Sequence, residues 1–174
     1  MVSRMTLRPV LTALALVLGV LFAPGVGVLG GGATQAHADT KLTHAQATAR
    51  FSSSGITWSS SGNCSNRNVS TCTSFDQLNL ATAQGAQTLK SATGCALNIT
   101  GGTETGHASG TYSHWNGYKL DFGKSTCLTN YVHGVFTYIG LRGDGAPQYK
   151  AGSGNIYADE GSHWDVTYYN CGGC

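Results

Sequence analysis

The feature that most constrains this chain is the placement of its six cysteines. Cys64, Cys72, Cys95, Cys127, Cys171 and Cys174 all lie beyond an N-terminal apolar run, and none lies within it. Arg4 and Arg8 precede that run, which extends from Val10 to Phe22 and passes through Gly- and Ala-rich sequence to Ala36-His37-Ala38. A charged start, a short apolar segment and a small-x-small site make a signal peptide. Cleavage after Ala38 removes residues 1–38 and leaves 39–174 as the mature chain. The run is short for a lipid-spanning helix, and no second apolar stretch of spanning length follows, so no membrane association is expected after cleavage. An even number of cysteines in a small exported chain points to a disulfide framework, although six cysteines admit many pairings. The expected location is secreted, extracellular or associated with a cell wall.

A mature chain of this length suits one domain with one core, and no segment within it reads as a linker. Lys and Arg number ten against eight Asp and Glu, but Arg4 and Arg8 belong to the leader, so the mature part is balanced. That removes the electrostatic case for a nucleic-acid partner. A monomer is expected.

Thr43-His44-Ala45-Gln46 has capping-box spacing and opens a short helix through about Phe51, stopped by Gly55 before the strand-like Ile56-Thr57-Trp58. A Ser/Asn/Gly-rich loop follows over residues 59–72. Ser74-Phe75-Asp76-Gln77 repeats the capping pattern, and Leu78, Ala81, Gly85 and Leu89 fall at helical spacing, which predicts the main helix over 75–91, ended by Gly94. Cys95 to Thr100 reads as a strand running into a glycine-rich segment, 101–107. Leu128 to Ile139 reads as a second long helix, against which Gly134 and several β-branched residues argue. Arg142-Gly143-Asp144-Gly145 reads as an ordinary turn. His44 and His133 fall on predicted helices and read as packing or surface histidines. The whole describes a small α+β domain, an antiparallel sheet of hairpins flanked by helices and braced by disulfides.

The chemistry-bearing residues sit at two predicted hairpins. In Ser113-His114-Trp115-Asn116-Gly117-Tyr118-Lys119-Leu120-Asp121, an Asn116-Gly117 turn pairs His114 with Lys119 and puts Asp121 on the face of His114, about 7–8 Å away at the backbone. In a straight strand the two would lie roughly 23 Å apart. A Gly161-Ser162 turn sets Glu160 directly opposite His163, with Asp165 on the same face. His114, Asp121 and His163 then form a three-ligand zinc set whose open position suits a catalytic metal. Glu160 stands ready as general base and Asp165 as a group that orients a ligand. His107, after the glycine-rich turn, is a further candidate for the same cleft.

Ser113-His114-x-x-Gly117-x-x-x-Asp121 followed by Glu160-x-x-His163-Trp164 resembles the zinc D-Ala-D-Ala carboxypeptidase family, related to lysostaphin-type and hedgehog-type zinc domains. The pattern of that family is S-x-H-x-x-G-x-A-x-D and then E-x-x-H, and the resemblance covers roughly Cys72 to Tyr169. It implies His114, Asp121 and His163 as zinc ligands, Glu160 as the catalytic base, and peptidoglycan stem or cross-bridge peptides as substrate. This chain departs from the pattern in having Ser113 adjacent to the histidine and Lys119 where a small residue is usual. It also carries Thr103-Glu104 where the family often has a basic or amide residue that stabilises the oxyanion, leaving His107, Tyr112 and Lys119 as candidate donors by their nearness in sequence. The rival reading is a non-catalytic exported inhibitor or cell-wall-binding module that keeps the same fold. Cys171-Gly172-Gly173-Cys174 has redox-pair spacing, but it does not open a helix after a strand, so a structural disulfide is expected there.

Overall fold

The structure, a computed structural model, describes residues 40–169. The predicted leader and the Cys171 and Cys174 pair lie outside the described residues. The architecture is α+β: three helices and a mostly antiparallel sheet. The strands and helices run in the order β1 (Lys41–Leu42), α1 (His44–Ser53), β2 (Thr57–Trp58), β3 (Leu78–Asn79), α2 (Leu80–Thr93), β4 (Asn98–Gly101), β5 (Lys119–Gly123), α3 (Thr126–Val135), β6 (Thr137–Leu141), β7 (Pro147–Lys150), β8 (Ile156–Asp159) and β9 (His163–Thr167). The main sheet has the order β2-β4-β5-β9-β8-β7-β6, and only the β2–β4 pair is parallel. β1 and β3 form a separate two-stranded ribbon.

The capping box of α1 forms as its spacing predicts: Gln46 N donates to Thr43 Oγ1 at 3.2 Å and Thr43 N donates to Gln46 Oε1 at 2.9 Å. Gly94 ends α2 in the left-handed conformation, φ 65°. The start of α2 differs from the expected 75–91, because tertiary partners claim the backbone of Ser74 to Gln77. Ser74 N donates to Glu104, Phe75 N to His44 Nδ1 and Gln77 N to Leu42 O, so the helix begins only at Leu80. The predicted helix over Leu128–Ile139 is also corrected. α3 spans Thr126–Val135 with Ser125 as its cap, and Thr137, Tyr138 and Ile139 belong to strand β6. Their β-branched and aromatic side chains favour the extended chain that pairs with β7.

One face of the sheet makes the core and the other makes the site. On the adjacent central strands β5 and β9, Leu120 pairs with Val166 and Phe122 with Trp164. All four are fully buried, in one cluster with Ala47, Phe51, Ala83, Leu89, Leu128 and Val132 from the helices. Period-two alternation then sends Lys119, Asp121, His163, Asp165 and Thr167 to the opposite face. Disulfides Cys64–Cys72 and Cys95–Cys127 tie the long loop to itself and the segment before β4 to α3.

Candidate metal centre

The two predicted hairpins fare differently. Gly161-Ser162 turns as expected: Asp159 pairs with Trp164 and Ala158 with Asp165, and Glu160 N donates to His163 O at 3.1 Å. This register places Glu160 opposite His163, and Glu160 Oε2 lies 3.2 Å from His163 Nε2. Asn116-Gly117 does not make a two-stranded hairpin. Residues 113–118 form a short helical turn in which Tyr118 N donates to Ser113 O and Gly117 N to His114 O, with Gly117 at φ 80°. That pair of bonds around a left-handed glycine is the Schellman closure, which accepts Asn-Gly as readily as a hairpin does. β5 then begins at Lys119 and pairs with β4 and β9.

His114 and Asp121 converge nonetheless, by another route. His114 Nδ1 donates to Gly102 O at 2.7 Å, which turns Nε2 toward Asp121 Oδ1, 3.3 Å away. Asp121 reaches that point because its strand neighbour is Gly101, where a Cβ would stand 2.3 Å from Asp121 Oδ2. The glycine-rich segment is therefore where the carboxylate is seated.

Around Asp121 stand three imidazoles. His114 Nε2 and His163 Nε2 approach Oδ1 at 3.3 and 3.7 Å, and His107 Nδ1 approaches Oδ2 at 3.8 Å. The ring of His107 stacks on that of His114 with centroids 3.8 Å apart. Asp121 Oδ1 is buried and makes no hydrogen bond among the described residues, and the same holds for Asp165 Oδ1. Asp121 and Asp165 are also directly opposite across β5 and β9, an arrangement that repels unless a cation stands between. For Asp165, Lys119 Nζ and Arg142 Nη1 supply it, at 2.6 and 2.8 Å from Oδ2. Burial disfavours the Asp165 anion, but the facing His114 and the charge of Lys119 outweigh it and hold the carboxyl well below its usual range. Burial likewise disfavours a charged His114, yet the carboxylates of Asp121 and then Asp165 push it up to about 10. The field at this point favours a cation, and a divalent metal can displace a proton from it.

His107, His114 and Asp121 each offer a ligand atom within 4.8 Å of the others, so the group can hold a metal ion. The donors, imidazole nitrogen and carboxylate oxygen, are those zinc and similar transition metals take. The cleft above them encloses about 440 Å³ and includes Lys119, Glu160, His163 and Asp165 in its lining.

Of the residues singled out in the sequence, the structure gathers His107, His114, Lys119, Asp121, Glu160, His163 and Asp165 around this cleft. Tyr112 is not among them: it packs edge-on against Tyr118 and Tyr169. Lys119 is bound to Asp165. Arg142, read from sequence as an ordinary turn residue, is the group that reasoning missed. The turn is there, closed by Gly145 N to Arg142 O, but the Arg142 guanidinium crosses into the cleft. It holds Asp144, Asp165 and Glu160 Oε1 together. Nothing in the spacing of Arg-Gly-Asp-Gly marks this; it needs the β6–β7 hairpin to fold beside β8.

His44 is half-buried and stacked on Phe75, while His133 is an exposed residue whose ring lies against Tyr149 and Trp164. No family model, curated protein or solved structure matches the chain. Fold and site together define a disulfide-braced α+β domain with a histidine–carboxylate cluster that can hold a metal ion.

Proposed function

We propose that the chain is a secreted zinc peptidase that hydrolyses peptide bonds of cell-wall peptidoglycan, as a D,D-carboxypeptidase or an endopeptidase. The observation that carries the reading is Asp121, a buried carboxylate ringed by His107, His114 and His163 with no ammonium or guanidinium partner among the described residues. Buried charges are paired or coordinate metals, and three imidazoles facing one carboxylate suit the second. The substrate class comes from the family resemblance of His114, Asp121, Glu160 and His163.

His114, Asp121 and His163 hold the zinc in this reading. Bound there, zinc supplies a Lewis acid that polarises the scissile carbonyl and acidifies a water. Glu160 takes the proton of the attacking water and returns it to the leaving amine. Arg142 holds its Oε1, so the base is oriented before substrate arrives, and His163 Nε2, which now lies beside Oε2, is the nitrogen the zinc would take. Lys119 and Arg142 offset the charge of Asp165, which keeps that second carboxylate from competing with Asp121 for the site.

One observation favours a non-catalytic exported inhibitor or wall-binding module instead: the Arg142 contact occupies one oxygen of Glu160. Digestion of purified peptidoglycan separates the two. The mature chain, with and without a zinc chelator, is incubated with the polymer and released fragments are weighed by mass spectrometry. The peptidase reading expects D-alanine or stem-peptide fragments that vanish with chelator and return with zinc. Binding to the polymer with no fragment released in any arm would establish the module.

A further inference from the structure

We infer that His107 is itself a metal ligand, held by the buried carboxylate of Glu104 in the one tautomer that can bind. The centre then carries His107, His114, His163 and Asp121. This rests on the cleft being a metal centre and not on the peptide substrate.

Glu104 is 2% exposed. Its carboxylate accepts from two backbone N–H groups, bonds that favour the ionised form in a buried place. Ser74 N donates to Oε2 at 2.7 Å and Gly102 N to Oε1 at 3.0 Å. The carboxylate is fixed by backbone on two sides, and what remains is an acceptor for His107 Nε2, 3.2 Å away. An ionised carboxylate only accepts, so the proton of neutral His107 sits on Nε2 and the lone pair on Nδ1. Nδ1 is the atom that faces Asp121.

His114 is treated in the same way by a different group. Gly102 O accepts from its Nδ1, so Nε2 is the nitrogen that faces Asp121 and that a metal would take in exchange for its proton. Two stacked imidazoles, one backed by a carboxylate and one by a carbonyl, thus aim their other nitrogens at the two oxygens of one carboxylate. Backing acceptors of this kind fix the tautomer and raise the basicity of metal-bound histidines. Segment 101–107 supplies both acceptors as well as His107, which accounts for an acid at position 104. With four protein donors, water or substrate enters as the fifth, an expansion zinc accepts.

The test is metal binding by the full mature chain, measured on metal-stripped wild type, His107→Ala and Glu104→Gln with Zn²⁺ against a chelating indicator and with Co²⁺ by visible absorption. Glu104→Gln is expected to bind Zn²⁺ about 10–100-fold more weakly, and His107→Ala, which loses a ligand, at least as weakly and with altered intensity of the Co²⁺ bands. Glu104→Gln also disturbs Ser74 and Gly102, so His107→Ala, whose side chain is 26% exposed, is the deciding variant, with its apo fold checked by circular dichroism and thermal melting. Wild-type affinity and an unchanged Co²⁺ spectrum in folded His107→Ala would overturn the inference. Wild type that binds neither metal is a different result: it removes the metal centre, and the proposed function with it.

Discussion

Glu160→Gln is expected to lower peptide hydrolysis by about 10²–10⁴-fold, the usual contribution of a positioned general base, while leaving bound zinc in place. The substitution keeps the volume and the hydrogen-bonding reach of the side chain, so His163 and Arg142 keep a neighbour, but it removes the group that accepts a proton. Glu160 lies on the turn between β8 and β9 and is 31% exposed in its side chain, so the fold does not depend on it. The measurement is kcat on a stem peptide beside zinc content of the same preparation. Equal rates for wild type and variant would remove Glu160 from the chemistry; loss of zinc together with rate would make it a metal-holding residue instead.

The second large effect is on stability. Trp164→Ala is expected to lower the free energy of unfolding by about 3–5 kcal/mol, as truncation of a large buried aromatic does. Trp164 is fully buried, contacts the rings of His133 and Tyr149, and lies under Lys124, whose Nζ is 5.2 Å from its ring centroid. Its strand neighbours His163 and Asp165 point to the other face, so the same strand that anchors the core also carries the site. Loosening β9 should therefore weaken metal binding as well. Val135→Ala, at a side chain at the end of α3 that is 61% exposed, serves as control and should stay within about 0.5 kcal/mol of wild type. Denaturant unfolding of both variants checks this; a Trp164→Ala loss no larger than that of the control would contradict the core assignment.

Where a local rule had no competitor, the sequence was readable. The capping box at Thr43, the stop at Gly94 and the register across Gly161-Ser162 all depend on residues within a few positions of one another. The α+β class and the turn at Arg142 to Gly145 were legible for the same reason. Local signals misled where distant groups took over the backbone. Ser74 to Gln77 has a helix-start pattern, but Glu104, His44 and Leu42 bind its N–H groups first. Asn116-Gly117 satisfies both a hairpin and a helical turn, and the pairing of β5 with β4 and β9 decides between them. The approach of His114 to Asp121 was foreseen for a reason that does not hold; Gly101 and Gly102 bring it about. Arg142 was beyond reach, since its partners Glu160 and Asp165 meet it only after the hairpin docks. Glu104 looked like an obstacle in sequence because its orientation, inward toward Ser74 and Gly102 and outward to His107, is a property of the folded loop.

Zinc content is the most direct test of the central claim. Residues 39–174, purified without chelator and analysed by inductively coupled plasma mass spectrometry, are expected to carry about one zinc per chain, the occupancy of a single site of the proposed kind. His114→Ala should lose it and Glu160→Ala should keep it. A wild-type chain that is metal-free, and remains so after dialysis against zinc, would contradict the account at its foundation.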